Sequence, residues 1–194
     1  MTTPRTQYGL TAKAVAFAAN AHDGQLRKGT KLPYIVHPME AMTIAATLTD
    51  DPEILAAAVL HDVLEDCGVS EPALARQFGM RVARIVRAVS EEKETDTQGS
   101  WQKRKLHTIN RMRAADEAEK IVTLADKLSN LRSMDRDLRA AGPGFWQRFN
   151  QTNPSMHKWY FSSIAGLLVS LEDTDAYREY VALIDRVFEQ HAAR

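Results

Sequence analysis

Residues 52–66 read Pro52-Glu53-Ile54-Leu55-Ala56-Ala57-Ala58-Val59-Leu60-His61-Asp62-Val63-Leu64-Glu65-Asp66. From Pro52 to Leu64 the pattern is helical and apolar almost all round, which marks a central, buried helix. Its C-terminal half nevertheless carries four ionisable groups: His61, Asp62, Glu65 and Asp66. Charged groups buried without partners cost several kcal/mol each, so something must compensate this cluster. On a continuous helix His61 and Glu65 share a face, as do Asp62 and Asp66 about 100° further round. A bound divalent cation would offset the carboxylate charge and accept an imidazole nitrogen. The alternative is that Glu65 and Asp66 cap the helix end or pair with surface arginines, although acids at a helix C-terminus oppose its dipole.

The His-Asp dipeptide carries little weight by itself, because His22-Asp23 is a second one. That pair ends a helix and runs into a polar, glycine-containing loop, where a solvated or loop-bracing role is expected. Two other residues complete a ligand set for His61 and Asp62. His37 precedes Pro38, at a helix start that would fix its backbone. Asp126 sits in Ile121-Val122-Thr123-Leu124-Ala125-Asp126-Lys127-Leu128, a second strongly apolar helix, with Asn130 and Ser133 continuing its face. Two imidazoles and two carboxylates suit Mn²⁺, Fe²⁺ or Zn²⁺, and the mixed nitrogen and oxygen set favours none of them decisively.

The rest of the chain is helical in period as well. Helices are expected over 10–21, 39–48, 70–78, 80–90, 101–115, 117–134, 154–172 and 174–192, with a loop or surface excursion over 135–153 around Gly142, Pro143 and Gly144. No stretch alternates convincingly as a strand. The expectation is an all-α fold: one domain over residues 1–194, with about eight to ten helices. The 194 residues fit one domain, and 25 basic against 25 acidic residues leave a formal net charge of zero. That balance argues against nucleic-acid binding through bulk charge and gives no sign of a protein partner. No apolar run approaches the roughly 20 residues that span a bilayer, residues 1–10 lack a signal-peptide stretch, and the single Cys67 cannot form an intrachain disulfide. A cytoplasmic protein without membrane contact is the default. Cys67 reads as a small buried side chain, and Lys103-Arg104-Lys105 as a solvated helix face, with phosphate contact as the alternative.

The ordering His37…His61-Asp62…Asp126 resembles the HD superfamily of metal-dependent phosphohydrolases. A finer likeness lies in Ala21-His22-Asp23-Gly24-Gln25-Leu26-Arg27-Lys28-Gly29, Pro33-Tyr34-Ile35-Val36-His37-Pro38, Leu60 to Asp66, and Leu124 to Arg132. These look like the hydrolase domain of RelA/SpoT-type alarmone enzymes, in the stand-alone form of the small alarmone hydrolases. The resemblance runs from about residue 12 to 134 and continues weakly through Trp159-Tyr160-Phe161.

The resemblance implies one Mn²⁺ on His37, His61, Asp62 and Asp126. It implies that Glu65 and Asp66 orient or deprotonate the attacking water. Arg27 and Lys28 would line the substrate pocket, Asn130 would hold the ribose or nucleotide side, and Tyr160 would wall the pocket. The implied reaction removes the 3′-diphosphate of ppGpp or pppGpp, giving GDP or GTP and pyrophosphate and ending stringent-response signalling. Gly29 departs from the small hydroxyl residue of many relatives, and neither 91–100 nor 135–153 matches the pattern, although both could border the pocket. Two readings compete: an HD phosphohydrolase acting on another nucleotide or on NADPH, and a nucleotide sensor that does not hydrolyse.

Overall fold

The computed structural model describes residues 5–91 and 98–189. Most of the polar segment 91–100 and the end of the expected 174–192 helix therefore lie outside the described residues. The α-helical segments are α1 (Arg5–Ala21), α2 (Val36–Ala45), α3 (Pro52–Leu60), α4 (Val63–Asp66), α5 (Glu71–Phe78), α6 (Met80–Val89), α7 (Gln98–Met112), α8 (Glu117–Ala141), α9 (Pro154–Leu167) and α10 (Asp175–Glu189). Two 3₁₀ segments, Gly142–Arg148 and Val169–Leu171, complete the order. The all-α expectation holds: among the described residues the only β pairing is the isolated bridge Leu26–Pro33.

The fold is organised around α3 and α8. In α3 the residues Ala56, Ala57, Ala58, Val59 and Leu60 are wholly buried, so the helix packs on α1, α2, α6 and α8 at once. Alanine permits this, because its small side chain lets neighbouring helices approach while it favours the helix itself. Asp51 starts α3 by accepting from the Glu53 N–H at 2.9 Å, with Pro52 in the first turn. In α8, Leu124, Leu128 and Leu131 are wholly buried, each contributing about 2 kcal/mol of transfer free energy. The helix packs on α2, α3, α6 and α10.

The structure departs from the sequence pattern at two places that matter for the site. First, the helix expected to run through Leu64 breaks at His61 and Asp62, between α3 and α4. The Ala58 carbonyl receives the His61 ring Nδ1–H at 2.8 Å, in competition with the backbone partner an unbroken helix would give it. Asp62 takes φ −95° and ψ −6°, between helix and extended backbone. His61 and Asp62 consequently point to one place instead of 100° apart. Second, the excursion expected from 135 begins only after Ala141, because nothing in 135–141 breaks the helix. Gly142, at φ +62°, ends it.

A capping box opens α8. The Asp116 carboxylate accepts from the Glu119 N–H at 2.9 Å, and the Glu119 carboxylate accepts from the Asp116 N–H at 3.3 Å. Arg84 of α6 ties both acids down at 2.7 Å. The Asp116 carboxyl lies below its usual range: its slight burial opposes ionisation, but the Glu119 amide and Arg84 outweigh it. A depressed folded-state pKa means stability present above the unfolded value and lost as pH falls through the folded one. Asp116→Ala is expected to cost about 1 kcal/mol in urea unfolding at pH 7. The deficit should shrink as pH falls below about 4, where the wild-type carboxylate also becomes protonated.

Candidate metal centre and adjoining cavity

Four side chains from three places in the chain converge. His37 comes from the first turn of α2, His61 and Asp62 from the α3–α4 break, and Asp126 from the middle of α8. The two Nε2 atoms face each other at 3.2 Å. His61 Nε2 is 3.0 Å from Asp62 Oδ2 and 3.6 Å from Asp126 Oδ1, while His37 Nε2 is 3.6 Å and 3.2 Å from the same oxygens. Both imidazoles are buried, and the two acids are only 13% and 14% exposed. All four metal candidates named from the sequence are brought together.

The orientation of the rings follows from their outer nitrogens. His61 Nδ1–H donates to the Ala58 carbonyl. Ser129 Oγ gives its proton to Glu40 Oε2 at 2.7 Å, so it accepts from His37 Nδ1–H at 2.8 Å. With both Nδ1 atoms protonated, the two Nε2 lone pairs and Asp126 Oδ1 form one group whose atoms lie within 4.8 Å of one another, and Asp62 Oδ2 stands 3.0 Å and 3.6 Å from the two imidazoles. Donor spacings of 3.2–3.6 Å in that group suit bonds of about 2.1 Å to a first-row divalent ion, and its nitrogen and oxygen donors suit the same class. The residues therefore fit a resident metal.

Ionisation within the cluster agrees. Burial would lower both imidazoles; His37 does go down, but the charges of Asp62 and Asp126 carry His61 well above its ordinary value. Burial would likewise raise both acids. The histidines hold Asp62 below the usual carboxylate range, and Lys127, ahead of the histidines, does the same for Asp126.

Neighbouring residues fix the ligands in place. Tyr34 OH donates to Asp62 Oδ2 at 2.7 Å, and burial followed by the Asp62 charge raises this phenol far above its ordinary range. Lys127 Nζ bonds Asp126 Oδ2 at 2.6 Å, and Asn130 Nδ2 bonds Asp126 Oδ1. Beyond Ser129, Glu40 is paired with Arg132 at 3.3 Å, and Arg132 with Glu179 of α10 at 2.6 Å. Sequence reading passed over Ser129 and Glu40 as supports, although each lies three residues from a named ligand, one helical turn away.

Of the two candidate water-handling acids, Glu65 is in α4, one turn after His61. Burial and the nearby Asp62 charge push it up to about 7, and its Oε1 accepts the Glu91 N–H. A cation at the four donors would oppose the Asp62 repulsion. Asp66 is half-buried; its carbonyl accepts from Gln25 Nε2 at 3.1 Å, and its charge acts on Tyr34.

A cavity of about 290 Å³ adjoins the cluster, and all four substrate candidates, Arg27, Lys28, Asn130 and Tyr160, line it. Arg27 Nη2 bonds Asn130 Oδ1 at 3.1 Å and Ser133 Oγ at 3.4 Å, and its guanidinium lies over the Tyr34 ring. Tyr160 is buried, and its hydroxyl has no hydrogen-bond partner among the described residues. Lys105 departs from the expected solvated face. It lines the cavity, lies over the Tyr160 ring at 4.7 Å and bonds Glu91 Oε1 at 2.6 Å, whereas Lys103 is exposed. His22 is buried and braces its loop: Nδ1 bonds Gln25 Oε1 at 2.9 Å and lies 3.3 Å from the half-buried Cys67 Sγ. Arg136, Asp137, Arg148 and Phe149 border the cavity, as expected for the region 135–153.

Residues 14–148 match the HD domain family, and the chain belongs to that family. Among curated relatives it is 31% identical over 182 residues to the Drosophila melanogaster protein named guanosine-3′,5′-bis(diphosphate) 3′-pyrophosphohydrolase MESH1, covering 92% of each chain. It is 31% identical over 137 residues to the GTP pyrophosphokinase of Myxococcus xanthus, where the match covers 68% of this chain but only 18% of the longer protein. A solved structure described as "A metazoan ortholog of SpoT hydrolyzes ppGpp and plays a role in starvation responses" superposes over 100% of both chains, with a TM-score of 0.73 and 26% identity. No helix among the described residues is long and apolar enough to cross a membrane.

Ser129→Ala removes the group that joins His37 to Glu40 while leaving all four ligands. Divalent-metal affinity, measured by titration calorimetry, is expected to fall about 10- to 100-fold with the fold intact by circular dichroism.

Proposed function

We propose that this chain, as one HD-type domain over residues 1–194, is a Mn²⁺-dependent hydrolase that removes the 3′-diphosphate of ppGpp or pppGpp. One observation carries the reading: three cavity residues, Tyr34, Lys127 and Asn130, hydrogen-bond directly to ligand carboxylates. A phosphate beside the metal centre would thus be in the same enclosure as the rest of a nucleotide. The names of the relatives and of the solved structure supply the substrate class. A small soluble nucleotide as the partner and a cytoplasmic setting follow from the same reading.

A divalent ion on His37, His61, Asp62 and Asp126 would lower the pKa of a water and polarise phosphoryl oxygens. The chain's own groups do the rest. Glu65, one turn after His61 and raised by burial towards the range where a carboxylate can accept a proton, takes the proton of the attacking water. Asp66, in the same short helix, helps to orient that water. As the water oxygen bonds to the phosphorus on O3′, the P–O3′ bond breaks and O3′ takes up a proton from solvent, leaving a 3′-hydroxyl and pyrophosphate, while Glu65 returns its proton to solvent. Lys127, kept charged by Asp126 and Glu91 against its burial, offsets the charge spreading over the phosphoryl oxygens. Lys105, which also lines the cavity, does the same. Arg27, stacked on Tyr34 and held by Asn130, receives the base or a phosphate, and the free Tyr160 hydroxyl offers a hydrogen bond to the nucleotide.

Protein stripped with chelator and reloaded with Mn²⁺ is expected to convert ppGpp to GDP and pyrophosphate, with no turnover when metal is withheld. Phosphate release from NADPH without ppGpp turnover would move the substrate to that dinucleotide. Unchanged ppGpp despite tight binding would make the protein a sensor. Asp62→Ala is expected to lose metal and activity together. Glu65→Gln should keep the metal while kcat falls by about two orders of magnitude.

A further inference from the structure

The end of the cavity away from the metal centre carries more positive charge than the surrounding protein neutralises. Lys28, Arg136 and Arg148 line the cavity around Asp137 and Phe149, and Asp137 is the one acid among the cavity's described lining residues. Asp137 is shared: its Oδ2 accepts from Arg148 Nη2 at 2.9 Å, and its Oδ1 is 3.5 Å from Arg136 Nε. The Arg148 guanidinium is otherwise held by aromatic faces, 4.0 Å from the Phe145 ring centroid and 5.3 Å from that of Phe149. Its Nε is buried without a hydrogen-bond partner among the described residues. A buried guanidinium nitrogen left unbonded is costly, and a planar fork against a cavity is suited to phosphate oxygens.

Glycine 29 makes this placement possible. Its φ is +75°, and a Cβ built there would lie 2.9 Å from Arg148 Nη1 and 3.0 Å from Arg148 Cδ. Any side chain at position 29 would have to push Arg148 off the turn that carries Arg27 and Lys28.

Position along α8 indicates which phosphates Arg148 can meet. Asp126, at the metal centre, and Asp137, which holds Arg148, are eleven residues apart, a rise of about 16 Å. We infer that Arg148, admitted to the cavity wall by Gly29, binds the phosphates that the reaction leaves in place, at the 5′ end of the nucleotide. This rests on the proposed hydrolase reading for which end is cleaved. The class of ligand is a nucleoside diphosphate or triphosphate held by its phosphates, which is the product of the reaction.

Product binding tests the subsite without requiring turnover. Calorimetry would follow GDP, guanosine and pyrophosphate binding to the Mn²⁺-loaded protein in the wild type, Arg148→Gln, Gly29→Ala and the double variant, with thermal melts as a check on folding. Arg148→Gln is expected to weaken GDP about tenfold or more while changing guanosine and pyrophosphate little. Gly29→Ala should weaken GDP by a similar factor. Part of the Gly29→Ala loss comes from backbone strain at φ +75°, which the double variant keeps and Arg148→Gln alone lacks. Arg148→Lys, which retains charge but loses the fork, should fall between wild type and Arg148→Gln. GDP affinity unaffected by Arg148→Gln would overturn the inference. Failure of the wild type to turn over ppGpp would instead count against the hydrolase reading, while a selective loss of GDP binding in Arg148→Gln would still support the subsite.

Discussion

Two imidazole nitrogens 3.2 Å apart, with two carboxylate oxygens within 3.6 Å of them, cannot sit inside a helical core unless something positive is shared between them. That requirement shapes the surrounding protein. The outer atoms of three ligands have partners: the Ala58 carbonyl for His61 Nδ1, the Ser129 hydroxyl for His37 Nδ1 and the Lys127 ammonium for Asp126 Oδ2. Tyr34 and Asn130 bond the inner oxygens, Asp62 Oδ2 and Asp126 Oδ1, and hold them beside the imidazoles. The helix break at His61 and Asp62 belongs to the same arrangement, because only a turn lets consecutive residues present ligands to one point. A continuous helix would have been the more stable local structure and a poorer site.

Helix α8 gives the site its scale. Along one side it presents Asp126 to the metal centre, Asn130 and Ser133 to Arg27, and Asp137 to Arg148. Its other faces hold the buried leucines that fix it against α2, α3 and α10. Chemistry and ligand recognition therefore sit on one rigid rod, and spacings between them are set by helix rise instead of loop conformation. The connection Glu40–Arg132–Glu179 extends this scaffold to α10 through charge pairs that sit partly in solvent, so their role is orientation more than stability.

Much of this was legible in the sequence because burial makes acids conspicuous. Asp62 and Asp126 stand out in apolar runs where a charge needs a partner, and His37 stands beside a proline that fixes its backbone. The helical period gave most of the elements, since apolar spacing records which face is buried. Contacts formed only in three dimensions were not legible. No periodicity announces that Ser129 relays His37 to Glu40, or that Lys105 turns from solvent into the cavity to meet Glu91. The break after Leu60 was hidden because its cause, a ring nitrogen bonding the Ala58 carbonyl, leaves the apolar pattern untouched. The extension of α8 to Ala141 was missed for the opposite reason: Gly142 and Pro143 announced the stop, and the polar surface residues just before it read as part of the loop.

The central claim is that the four converging donors are one divalent-metal site, and diffraction from crystals grown with Mn²⁺, collected for anomalous scattering, tests it most directly. The expected result is a single strong anomalous peak about 2.1–2.3 Å from His37 Nε2, His61 Nε2, Asp62 and Asp126. A fully occupied manganese elsewhere, with His61 and Asp62 still joined by a hydrogen bond at an ion-free cluster, would contradict it.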